Sequence, residues 1–61
     1  MNELTTMVES LNSEQRARWD DLRGQRMSAW PVGLAEHVNR SRPHNGEDVM
    51  RAIAEWILQG N

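Results

Sequence analysis

The chain contains no cysteine, no lysine, no tyrosine and no phenylalanine. Without cysteine neither a disulfide nor a thiolate metal site can form. The two histidines, His37 and His44, are too few for a structural zinc site without carboxylate help, so no metal or other cofactor is expected. No apolar run approaches the roughly 18 residues of a membrane span. The opening stretch Met1-Asn2-Glu3-Leu4-Thr5-Thr6-Met7 lacks the basic-then-apolar order of a signal peptide. With the absence of cysteine, this leads to the expectation of a cytoplasmic protein. The four glycines are scattered and form no phosphate-cradling loop. Positive charge is also scarce: seven arginines face nine acidic residues, for a net charge of −2. That balance supplies no general attraction to phosphate backbones and argues against nucleic acid as the main ligand, though it permits a local basic patch.

What remains is a 61-residue chain that makes one domain, 1–61, with a thin core. Domains below roughly 70–80 residues tend to need disulfides, a metal or a partner. With the first two excluded, the expected aid is another protein or a second copy of the chain.

Periodicity predicts helices throughout and no strand. The last helix, Gly46 to Gln59, organises the rest. At about 100° per residue, Val49, Met50, Ile53, Trp56 and Ile57 share a face, flanked by Ala52 and Ala54, with Leu58 beyond. This arc of about 240° is far wider than the roughly 100° stripe of a surface helix, so the helix is surrounded by others or partly reserved for a second molecule. Leu4, Met7, Val8 and Leu11 give a narrow stripe for a first helix from about Asn2 to Ser10. Asn12 and Gln15 have the spacing of a capping box, which either restarts the chain or kinks a continuous helix. A second helix, about Ser13 to Met27, is pinned by Trp19 and Leu22 with the stems of Arg23 and Arg26 alongside. Gly24 weakens its end. Pro31 suits the first turn of a third helix running to about Arg40, with Val32, Leu34, Ala35 and Val38 on one face. Asn45 or Gly46 caps the last helix, and Gly60 ends it. The expected fold is an all-α, small three-helix bundle, or four short helices if the chain breaks at Asn12. The last helix packs on the first and third, and the second covers one side.

Few residues invite a chemical reading. His37 would need Glu36 or Glu55 to orient it beside a nucleophile, and the hydroxyls (Ser41 among them) carry no elbow motif. Asp20-Asp21 and Glu47-Asp48 are adjacent in helices, so their carboxylates diverge instead of converging on one ion. No catalytic residue is assigned, and the chain does not read as an enzyme. The second-helix arginines read as partners of Glu14, Asp20 and Asp21. Leu34 to Ser41 has the look of the first helix and turn of a helix-turn-helix, which would make the chain a small dimeric DNA-binding regulator. Asn45 and Asp48, however, stand where that motif needs apolar residues, and the Arg42–Gly46 loop is too long. The three tryptophans are many for this length. Trp56 reads as core, whereas Trp30 suits either a core rim or an interface anchor. The partner-binding surface is therefore placed at Trp30, Val32 and Leu58, with Arg40, Arg42 and His44 at its rim.

The segment Pro31-Val32-Gly33-Leu34-Ala35-Glu36-His37-Val38-Asn39-Arg40-Ser41-Arg42-Pro43 resembles the central motif of the theta subunit of bacterial DNA polymerase III and its phage-encoded homologue. The shared positions are Pro31, Val32, Leu34, Ala35, Glu36, Val38, Arg40 and Pro43. Gly33 is one residue extra, and Trp56-Ile57-Leu58 replaces a more basic run in the family's last helix. The family's C-terminal tail has no counterpart. The resemblance implies a non-catalytic, three-helix accessory protein that binds and stabilises a proofreading exonuclease subunit.

Overall fold

The backbone turns at Asn12, and that turn decides the number of helices. In the computed structural model, which describes residues 3–60, α1 spans Glu3–Glu9 and α2 spans Ser13–Gly24. The Gln15 N–H donates to Asn12 Oδ1 at 2.8 Å, and the Asn12 N–H donates to Gln15 Oε1 at 2.9 Å. Both halves of the capping box are closed, so the chain starts a new helix instead of bending an old one. The expected start of α1 at Asn2 lies outside the described residues. Asn12→Ala removes one acceptor and loosens the first turn of α2. It is expected to cost about 1 kcal/mol, which a thermal melt would register as a drop in Tm of roughly 4–8 °C.

α2 stops at Gly24, short of the expected Met27, because its end is closed from outside. Gln25 is extended, and the Leu22 carbonyl accepts the Gln25 N–H at 3.1 Å and the Trp30 indole N–H at 2.7 Å. A short 3-10 turn, Met27–Ala29, then carries the chain to Pro31. α3 spans Val32–Ser41; the Leu34 and Ala35 N–H groups donate to the Pro31 carbonyl, so Pro31 caps the helix without joining it. Arg42 ends α3 in the left-handed region, at φ 51°. A side chain there costs about 1–2 kcal/mol that glycine avoids, partly offset by glycine's greater freedom when unfolded. Arg42→Gly is therefore expected to stabilise the fold by about 0.5–1 kcal/mol in urea denaturation. α4 spans Gly46–Leu58, with the Asp48 N–H donating to Asn45 Oδ1 at 2.9 Å. Gly60, at φ 97°, closes its other end by donating to the Ile57 carbonyl.

The described residues thus form four α-helices and no strand, which keeps the all-α class and, of the two expected counts, takes four helices over three. α4 is the hub: α1, α2 and α3 each pack on it, and contacts among those three are sparse. α2 is a full partner rather than a cover on one side, since Trp19 donates its indole N–H to the Met50 carbonyl at 3.0 Å. Leu34, Ile53 and Ala54 are fully enclosed, and Val38 and Ile57 nearly so. The alanines at 52 and 54 are small enough for neighbouring helices to close on α4 from two sides. Its wide apolar arc is therefore used within the molecule, apart from Leu58. Among the described residues no helix is long and apolar enough to cross a membrane.

Candidate protein-binding surface

α3 and α4 form an antiparallel hairpin. Gly33 faces Trp56, His37 reaches Glu55, and Arg42 shares a hollow with Ala52. This geometry separates the six residues that the helical faces had grouped. Val32 stands at the first turn of α3 and is 75% exposed. Arg40 lies eight residues on, about 12 Å along the helix axis, and Arg42 and His44 lie further still. Leu58 is 40% exposed, but it sits about 200° around α4 from Trp56, the residue that faces α3. It points away from Val32.

Trp30 is only 8% exposed. Its ring is in the core and its indole N–H is committed to the Leu22 carbonyl, so of the two readings of this residue the structure takes the core one. The chain around it does the opposite: Met27, Ser28, Ala29, Pro31, Val32 and Gly33 are all exposed. Met27, at 50% exposure, was not expected on this surface, because it was read as the last residue of α2 and instead begins the 3-10 turn that follows it. Arg18 holds its guanidinium carbon 5.4 Å from the Trp56 ring centre. A Cβ at Gly33 would lie 3.7 Å from the same ring, so Trp56 is covered from α2 and α3 together.

The polar residues fall into two hollows. Arg42 and His44 line one of about 260 Å3 with Ser41, Asp48, Arg51 and Glu55. Arg51 is already engaged there, at 2.6 Å from Asp48. Arg40 lines a second, of about 390 Å3, with His37, Ser41, Glu55 and Gln59. His37 Nε2 lies 3.2 Å from Glu55 Oε1, but off the line of a hydrogen bond. Glu55, and not Glu36, is thus the carboxylate beside His37. The Ser41 hydroxyl donates to the Val38 carbonyl of its own helix at 2.7 Å, which commits its proton to the backbone.

The acidic pair in α2 is divided between other partners. Asp20 contacts Arg16 at 3.6 Å and Arg23 at 3.1 Å, and Asp21 accepts from the Gln25 side chain. Arg23, one of the two arginines expected alongside the apolar anchors of α2, lies over the Trp19 ring, and Arg16 lies over it as well. Among the described residues no three His, Asp or Glu side chains are placed to hold a metal ion. No family model, curated protein or solved structure matches the chain.

Proposed function

We propose that this protein is a small accessory module that works by binding another protein through the exposed apolar run from Met27 to Gly33. The observation that carries this reading is the contrast within the run. Trp30 alone turns inward, while Met27 and Val32 on either side of it stay in water. Isolated exposed apolar side chains are ordinary, but several within one short stretch suit an interface. The same run opens the segment that resembles the theta subunit, which makes a proofreading exonuclease subunit the first partner to try. Arg40, Arg42 and His44 belong to this surface in the sense of a distant rim, reached by a partner that extends along α3. Leu58 is left out of it.

The test is titration calorimetry of the whole chain against the proofreading exonuclease subunit of a bacterial DNA polymerase III. Binding is expected, and Val32→Asp is expected to weaken it at least tenfold. Its exposure predicts a stability change within about 0.5 kcal/mol, so a lost interaction would not reflect a lost fold. No binding would remove the exonuclease as partner. Unchanged affinity in the Val32→Asp variant would remove the surface. Tight binding to duplex DNA that collapses with added salt would move the protein to the DNA-regulator class.

A further inference from the structure

The C-terminal end of α3 and the stretch of α4 beside it form one groove, since the hollow of Arg42 and the hollow of Arg40 share Ser41 and Glu55. Its charges are unevenly matched. Arg16, Arg23 and Arg51 are paired with carboxylates, whereas Arg40 and Arg42 are exposed and have no carboxylate partner among the described residues. The acids on the groove wall are already engaged. Asp48 gives one oxygen to Arg51 at 2.6 Å and the other to the His44 N–H at 3.0 Å, and Glu55 lies against His37. Two further observations mark the groove as incomplete in the free chain. Arg42 holds its place at φ 51°, a region that glycine enters without strain and a residue with a side chain does not. Strain kept at such a position points to a use for the side chain. His37 Nε2 is enclosed and has no hydrogen-bond partner, although Glu55 Oε1 is 3.2 Å away; orphaned buried groups of this kind are few in folded proteins.

We propose that this groove recognises a carboxylate-rich segment of the partner protein. The inference rests on the protein-binding reading above and gives the partner its chemistry, but it uses no residue of the Met27–Gly33 run. Arg40 and Arg42 take the incoming carboxylates through paired N–H···O contacts, which the planar guanidinium is shaped to make. The negative charge entering the groove repels Glu55 toward His37, where a small movement completes the missing hydrogen bond. A phosphate chain suits the groove less well. Asp48 and Glu55 stand on its walls against the fuller charge of a phosphate, and a chain of net charge −2 has no general attraction for nucleic acid. The strain at Arg42 is thus kept for binding: glycine at this position would relax the backbone and lose the guanidinium together.

The experiment uses the full chain and a short fluorescent peptide of alternating Glu-Ser and Asp-Gly steps. The controls are the same peptide with Gln and Asn in place of the acids, and a single-stranded oligonucleotide. Fluorescence anisotropy gives the affinities, and NMR follows the His37 ring. The acidic peptide is expected to bind at least tenfold more tightly than the amide control and than the oligonucleotide, and to shift the His37 resonances. Arg42→Gly is expected to melt higher than the parent chain yet bind the acidic peptide at least tenfold more weakly, so the loss cannot be a loss of fold. Arg40→Gln is expected to weaken binding to a similar degree. Arg26→Gln, which removes an exposed arginine at the other end of α3, and Val32→Ala, which trims the apolar run, are expected to stay within twofold of the parent. Equal affinity for the acidic and amide peptides, tighter binding of the oligonucleotide, or full affinity in Arg42→Gly overturns the proposal. So does an equal loss in Arg26→Gln or Val32→Ala. None of these outcomes touches the exonuclease titration of Val32→Asp, so the two readings fail separately.

Discussion

Ile53→Ala is expected to remove most of the stability of this domain. Ile53 is fully enclosed at the middle of α4, the helix on which the other three pack. Truncating a buried isoleucine to alanine costs about 2–5 kcal/mol, through lost transfer energy and the cavity left behind. A chain of this length is held by roughly 3–9 kcal/mol in total, at about 0.05–0.15 kcal/mol per residue. The hub position places the cost in the upper part of its range, because a cavity here faces several helices and no single one can move in to fill it. Ile53→Val, which removes one methyl, is expected to cost about 0.5–1.5 kcal/mol and to leave the fold intact. Urea denaturation followed by far-UV circular dichroism measures both. A cost below about 1 kcal/mol for the alanine variant would mean that the helices repack around the gap, which the hub arrangement does not allow.

The hub itself was legible in the sequence. An apolar arc as wide as that of Val49 to Ile57 can be satisfied only by neighbours on several sides, and the structure supplies three. The break at Asn12 was legible as a possibility, since Asn12 and Gln15 have the right spacing, but spacing does not reveal whether a helix restarts or only bends. Local rules also placed Pro31, Asn45 and Gly60 at helix ends, because capping is decided within four residues. The end of α2 was not legible. It depends on a tryptophan eight residues downstream donating to Leu22, and no local propensity encodes that reach. The spatial relation of the candidate surface residues was not legible for a related reason. Val32 and Leu58 each leave the apolar face of their own helix, but whether two such residues meet depends on how the helices are paired. The antiparallel pairing of α3 and α4 sends Leu58 to the far side of the hub, and it places Arg40, Arg42 and His44 at the opposite end of α3 from Val32.

Trp30 separates the two readings of that region most sharply, and its substitutions form the second large prediction. Trp30→Ala deletes a nearly buried indole and withdraws the donor that helps close α2, so a loss of about 3–5 kcal/mol is expected. In a domain this small that leaves a large unfolded fraction at 25 °C. Trp30→Phe keeps most of the ring volume but not the N–H. The Leu22 carbonyl retains the Gln25 N–H at 3.1 Å, so it is weakened rather than orphaned. The hydrogen-bond share of the cost is therefore about 1 kcal/mol, with a smaller addition for lost packing. Hydrogen exchange should then show the Gln25 amide, at the loosened end of α2, gaining more than amides in α4. Val32→Ala, two residues away but exposed, should change stability by less than about 0.5 kcal/mol. A Trp30→Ala variant as stable as the parent chain would contradict the buried placement and return Trp30 to the interface. A large loss, with Val32→Ala silent in stability yet weakened in partner binding, would assign two neighbouring residues on either side of Pro31 to two tasks: Trp30 to the core, and Val32 to the partner.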